Sequence, residues 1–78
     1  MADATTERWY AAHYDAHGAL VLSAPSSNAL TVGAMIDRDP ARYRERLAVI
    51  ERGSVRTLAY VRRAADGGYE FKPGRRLS

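Results

Sequence analysis

From Arg8 to Tyr14 the large side chains fall on both parities, with Trp9, Ala11 and His13 on one side and Tyr10, Ala12 and Tyr14 on the other. Asp15-Ala16-His17-Gly18 follows, with aspartate where a type I turn begins and glycine where the left-handed residue after it is needed. Leu20, Val21 and Leu22 then make a compact β-compatible run that ends at Ser23 and the loop from Ala24 to Asn28. The pattern predicts a hairpin over about residues 8–23. A helix capped by Gly18 is the alternative, which the alanines would suit.

The segment from Leu30 to Asp37 has two readings. As a strand it would align Leu30, Val32, Ala34 and Ile36 on one face. As a short helix over about 32–37, Thr31 caps it, Val32, Met35 and Ile36 share a stripe, and Leu30 packs on Met35 as a hydrophobic staple. Two agreeing signals favour the helix. Next, Asp39-Pro40 gives a start signal, Tyr43, Leu47 and Ile50 recur at helical spacing, and Gly53 can turn left-handed and stop the run. The main helix is therefore expected over about residues 40–52.

Val55 to Arg63 is the best strand pattern of the chain, with Val55, Thr57, Ala59 and Val61 on one face and Arg56, Leu58, Tyr60 and Arg62 on the other. Asp66-Gly67-Gly68 is a turn, and the chain returns from Tyr69 to Lys72 with Tyr69 and Phe71 on one side. Pro73-Gly74 is expected to end this second hairpin, over about 55–72. The prediction is a single α+β domain: an antiparallel sheet of two hairpins packed against one main helix and a short preceding one, with residues 1–6 and 74–78 as loose ends.

Length and composition narrow what such a domain can do. Its 78 residues support one modest core, and the absence of cysteine removes disulfides and thiolate zinc sites. No apolar run approaches the ~20 residues that span a bilayer, and no signal segment is evident at the N-terminus, so a soluble cytoplasmic protein is expected. The net charge is +3, divided unevenly: residues 1–36 carry −2 and residues 37–78 carry +5. All the bases but Lys72 are arginine, which suits bidentate contact with phosphate or carboxylate and also fits the codon usage of a GC-rich genome.

Candidate chemistry is sparse. His13, Asp15 and His17 are close in sequence but lack a set of ligands to complete a metal site. Ser23, Ser26 and Ser27 have no nucleophile elbow or spaced base, and no glycine belongs to a phosphate-cradling loop. Asp37 and Asp39 read as helix-start residues. Neither an enzyme nor a cofactor or metal is expected.

Binding is the remaining class. The protein-binding reading rests on Trp9, Tyr10, Tyr14, Tyr60 and Arg62, residue types that form interface hot spots. Small inhibitors or accessory factors of phages and mobile elements, which dock on a larger machine, share this general profile. The alternative is nucleic-acid binding by Arg56, Tyr60, Arg62, Arg63, Lys72, Arg75 and Arg76, with bases holding phosphates and rings stacking on nucleobases. Residues Arg56 to Arg63 resemble the first signature of the RNA-recognition motif at Arg56, Ala59, Tyr60 and Val61. They depart from it where Thr57 replaces glycine and Arg63 the final aromatic, and the order of elements derived above is not that fold's. A homodimer covering the second face of the sheet is a further arrangement.

Overall fold

The computed structural model describes residues 7–78, and the expected loose N-terminal end lies outside the described residues. The fold is a small α+β domain in the order β1 (Glu7–Tyr14), β2 (Leu20–Leu22), α1 (Ala29–Arg38), β3 (Leu47–Arg52), β4 (Val55–Arg63), β5 (Tyr69–Arg76). The strands form one antiparallel sheet in the order β2-β1-β3-β4-β5. Helix α1 carries the chain from the β2 edge across β1, so that β3 pairs with the other side of β1.

Both expected hairpins form, and their turns share one chemistry. In the first, Asp15 N–H donates to Ala19 O (2.9 Å) and Gly18 N–H to Asp15 O (3.0 Å), with Gly18 at φ +79°. In the second, Ala64 N–H donates to Gly68 O (2.9 Å) and Gly67 N–H to Ala64 O (3.1 Å), with Gly67 at φ +89°. Each is a three-residue loop whose last position needs the left-handed region. The aspartate side chains complete the turns: Asp15 accepts the amides of His17 and Ala19, and Asp66 that of Gly68.

The short helix is longer than expected and begins earlier. Asn28, not Thr31, is the cap, its side chain accepting Leu30 N–H at 2.9 Å. Leu30 is 56% exposed, so the staple with Met35 is not made. Val32, Gly33 and Ile36 are the buried face. Gly33 lies against the Tyr69 ring, where an added Cβ would overlap the ring carbons.

The main helix is corrected. Residues 40–45 are turns and Leu47–Arg52 is the central strand β3. The Asp39-Pro40 start signal yields a single turn, with Tyr43 N–H donating to Asp39 O (3.1 Å). Arg46 then takes the left-handed region (φ 55°) and turns the chain into the sheet. Leu47, Ala48, Val49 and Ile50 are all buried. A helix would bury Leu47 and Ile50 and turn Val49 outward, whereas a central strand with both sides covered hides the whole run. Gly53 is no helix stop. At φ +60° it opens a two-residue hairpin with Ser54, whose φ is not positive, and this is the type II′ arrangement.

The second correction is at the C-terminus. Pro73-Gly74 does not end the hairpin, because β5 runs on to Arg76 and pairs Thr57 with Arg76 after an irregularity between Thr57 and Ala59. Leu77 N–H donates to Arg56 O (2.7 Å), so the expected loose tail is tied to β4.

Apolar packing occurs on both sides of the sheet. Between α1 and the sheet, Val32 and Ile36 of the helix meet Ala11, Tyr43, Ala48 and Val61, with Trp9, Met35, Tyr69 and Phe71 against them. On the opposite side Tyr10, Ala12, Leu47, Val49 and Leu58 are buried, flanked by Leu20, Leu22 and Leu77. The shortest dimension of the molecule, 20 Å, fits one sheet layer and one helix layer.

Candidate functional site

Strand alternation decides which side chains share the face that α1 leaves uncovered. The pairings Tyr10↔Val49, Val49↔Leu58 and Tyr60↔Lys72 put these residues on it, and alternation adds Arg8, Tyr14, Glu51, Arg56, Arg62 and Glu70. An apolar centre is thus surrounded by tyrosines and bases. Tyr60 is 52% exposed and Tyr14 36%, while Tyr10 is buried.

The face is held by two devices. Tyr10 donates its hydroxyl to Glu51 Oε1 (2.8 Å), and Arg56 donates Nε to Glu51 Oε2 (3.1 Å) with its guanidinium 5.8 Å from the Tyr10 ring centre. The phenol hydrogen bond first, and then that of Arg56, hold the Glu51 carboxyl below the usual carboxylate range. The other device crosses the sheet. Tyr14 is on β1 and Arg75 on β5, with β3 and β4 between them, a gap of ~14 Å at the usual strand spacing. Arg75 Nη2 nonetheless lies 3.5 Å from Tyr14 Oη. The two long side chains therefore reach toward each other over the intervening strands and shelter Leu47 and Leu58, which are 3% exposed on the side away from α1.

Arg62 pairs with Glu70 at 2.6 Å on the same face. Lys72 and Arg75 make no ion pair among the described residues. Beside them the Tyr60 ring edge rests on Gly74, where an added Cβ would come within 2.9 Å of the ring. A glycine in the irregular part of the edge strand thus gives the exposed aromatic its seat. A shallow hollow of about 430 Å³ is lined here by Tyr60, Val61, Arg62, Glu70, Phe71 and Lys72.

The expected site residues divide between the two sides. Tyr10, Tyr14, Tyr60, Arg56, Arg62, Lys72 and Arg75 come together on the uncovered face. Trp9 does not: it packs under α1, edge-to-face on Phe71 with centroids 4.9 Å apart, and belongs to the core. Arg63 also lies on the helix side, where its Nη1 is 3.5 Å from Asp37 Oδ2 and its guanidinium is 5.9 Å from the Tyr69 ring centre. Arg76, opposite Thr57, shares that side and donates Nε to Ser78 O (2.9 Å). Sequence reasoning missed Glu51, Glu70 and the leucine rim of Leu20, Leu22 and Leu77. Parity within the expected strand 69–72 was a signal for Glu70, whereas reading 40–52 as a helix hid Glu51, and the rim needed strand order.

On the helix side Asp37 is the polar hub. It accepts from Tyr69 Oη (2.7 Å) and Arg46 Nη1 (2.9 Å), with Arg63 adjacent, and Arg46 Nε also donates to Val61 O (3.0 Å). The Tyr69 bond first, then Arg46, lowers the Asp37 pKa, and the same bond raises that of Tyr69. These groups lock α1, the turn before β3, and the β4–β5 hairpin together. His13 stacks edge-to-face on Tyr43 (5.6 Å), apart from the Asp15 turn, and no group of three or more metal-ligating side chains occurs among the described residues. Ser23 Oγ accepts Ala11 N–H (2.9 Å) and donates to Ala24 O (3.0 Å), which occupies it as a strand-end bracket.

Comparison with known protein families, curated proteins and solved structures finds no match. No helix of the described residues is long and apolar enough to cross a membrane.

Proposed function

We propose that this chain is a binding protein, not an enzyme, and that it docks a protein partner on the uncovered face of its sheet, as an inhibitor or accessory factor of a larger assembly does. The observation that carries this reading is the make-up of the face: the exposed rings of Tyr60 and Tyr14 and the half-buried Leu20, Leu22 and Leu77 present apolar surface around the sheltered Tyr10, Leu47 and Leu58, within a charged rim. That is the anatomy of a protein interface. Bases outnumber acids on the rim, with Arg8, Arg56, Arg62, Lys72 and Arg75 against Glu51 and Glu70, so the complementary partner surface is acidic with an apolar anchor. Two of these arginines are already matched by glutamates, and carboxylates within the face oppose a phosphate backbone. This favours protein over nucleic acid.

Nucleic acid is the second reading, supported by the exposed Tyr60 ring beside Lys72 and Arg75, a stacking platform with adjacent positive charge. One comparison separates the two. The intact chain is immobilised and exposed to host lysate and, separately, to labelled single-stranded DNA and RNA, alongside Tyr60→Ala, Arg62→Glu and the control Arg42→Ala, in the turn after α1 where Arg42 pairs with Asp39. Docking requires a protein retained by the wild type and by Arg42→Ala and lost by both face variants. Retention by all three variants rules out this face. Nucleic-acid affinity falling steeply with salt establishes the alternative instead.

A further inference from the structure

The outer edge of β5, unpaired among the described residues, carries a self-complementary sequence, and we infer that two copies of the chain pair there, edge to edge and antiparallel, about a two-fold axis at Phe71. The direction of the backbone groups follows from hydrogen bonds on the other side of β4. Val61 N–H donates to Arg46 O (2.9 Å) and Val61 O accepts Arg46 Nε (3.0 Å), so Val61 directs its backbone toward β3. Its partner across the ladder is Phe71. In an antiparallel pair of this kind both residues point their amide and carbonyl groups away from each other, so those of Phe71 face outward from the sheet. Alternation gives Tyr69 and Pro73 the same direction. Pro73 therefore sits in β5 without interrupting the ladder to β4, as proline does on an edge strand.

A second copy laid antiparallel on this edge with Phe71 opposite Phe71 exchanges both hydrogen bonds of that pair. Tyr69 N–H meets Pro73 O of the other copy, and the reciprocal bond forms by symmetry. The missing proline N–H removes only bonds that Tyr69 O would accept. Between these pairs Glu70 falls opposite Lys72 twice, in the closely spaced position where side chains meet. Lysine, proline and irregularities commonly blunt an edge, but on β5 Lys72 has Glu70 two residues before it, Pro73 removes only the bonds to Tyr69 O, and the irregularity lies beyond the Tyr69–Pro73 stretch that pairs. Here the signs alternate in the one order that a two-fold axis converts into attraction. Glu70 uses Oε1 for Arg62 within its own chain, leaving its other oxygen for Lys72. The result joins two five-stranded sheets into one, with both helices on one side and both uncovered faces on the other. The inference stands without the docking reading, because it requires no partner but the chain itself.

An edge of this length gives a weak pair, so the test is mass against concentration. Sedimentation equilibrium on the full chain from micromolar to millimolar should show a monomer–dimer equilibrium. Lys72→Glu and Glu70→Lys should each weaken it by about tenfold, two attractive pairs having become repulsive. The double swap Glu70→Lys/Lys72→Glu should restore it. The intrachain pair it loses is exposed, and thermal melts confirm that each variant folds. Amide exchange at Phe71 should slow as protein concentration rises. A chain monomeric throughout, a dimer indifferent to Lys72→Glu, a double swap that stays weak, or a Phe71 amide that exchanges at the same rate at every concentration each overturns the inference.

Discussion

Asp37 shows how much one residue can organise in a small domain. Its carboxylate faces a phenol and two guanidiniums drawn from β5, the turn before β3, and β4, and these keep it ionised. Glu51 does the same on the opposite side of the sheet with Tyr10 and Arg56. Both folded-state pKa values lie below the ordinary carboxylate range. For a lowered pKa the unfolded chain takes up protons first, so the stabilisation is complete above that range and is lost as pH falls through it toward the folded values. The melting temperature should therefore hold from neutrality to about pH 5 and decline below about pH 4. Asp37→Asn should lower the plateau and flatten the acid limb, and a limb of unchanged slope would remove Asp37 from the account. Asp37 was read in the sequence as a helix-start residue. Its actual partners lie nine to thirty-two positions away, beyond the reach of local pattern.

At the scale of elements, local chemistry was legible where a turn is built from its own residues. Asp15 with Gly18 and Asp66 with Gly67 specify their loops without help from elsewhere, and both hairpins are where the pattern put them. Gly53 was equally informative but was given the wrong role, since a left-handed glycine serves a helix C-terminus and a type II′ hairpin alike. The hairpin role makes a specific prediction. Gly53→Val should destabilise by about 1–2 kcal/mol in chemical denaturation, the range for forcing a side chain into left-handed backbone. Gly53→Asn should cost nearly as much, because the first central position of a type II′ turn combines positive φ with a ψ of about −120°, outside the left-handed helical region that asparagine visits. Nothing lies within 4 Å of an added Cβ there, so a loss with valine reports backbone strain and not crowding.

For the whole molecule the central question is which aromatic side chains serve stability and which remain free to bind. Trp9 and Tyr60 lie on opposite sides of the sheet and should respond differently to the same truncation. Trp9→Ala removes a half-buried ring packed on Phe71 and should cost about 2–4 kcal/mol, near the low end of core aromatic losses. Tyr60→Ala should change stability by less than about 1 kcal/mol while abolishing docking. Equal stability losses in urea denaturation would show that Tyr60 is a core residue and that the uncovered face is structural. The sequence separated Tyr10 and Tyr14 from Trp9 by parity alone, but parity could not say which side the helix covers. Only the crossing of α1 over β1 made Trp9 part of the helix-side core and put the tyrosines on the opposite face, Tyr10 buried there and Tyr14 exposed.

What the sequence determined by itself is what short-range physics determines: the glycine turns after Asp15 and Asp66, the two hairpins they close, the α+β class, and which side chains share a face in β1, β4 and the first half of β5. The tertiary structure decided the fate of Leu47 to Ile50 and of Pro73. Four consecutive apolar residues suit a helix stripe or a doubly covered strand equally well. The strand prevails here because β1 and β4 supply its hydrogen bonds while α1 and the tyrosine–leucine cluster cover its two sides. Pro73 looks like a terminator until the sheet makes β5 an edge, where the N–H it lacks would have pointed away from the ladder.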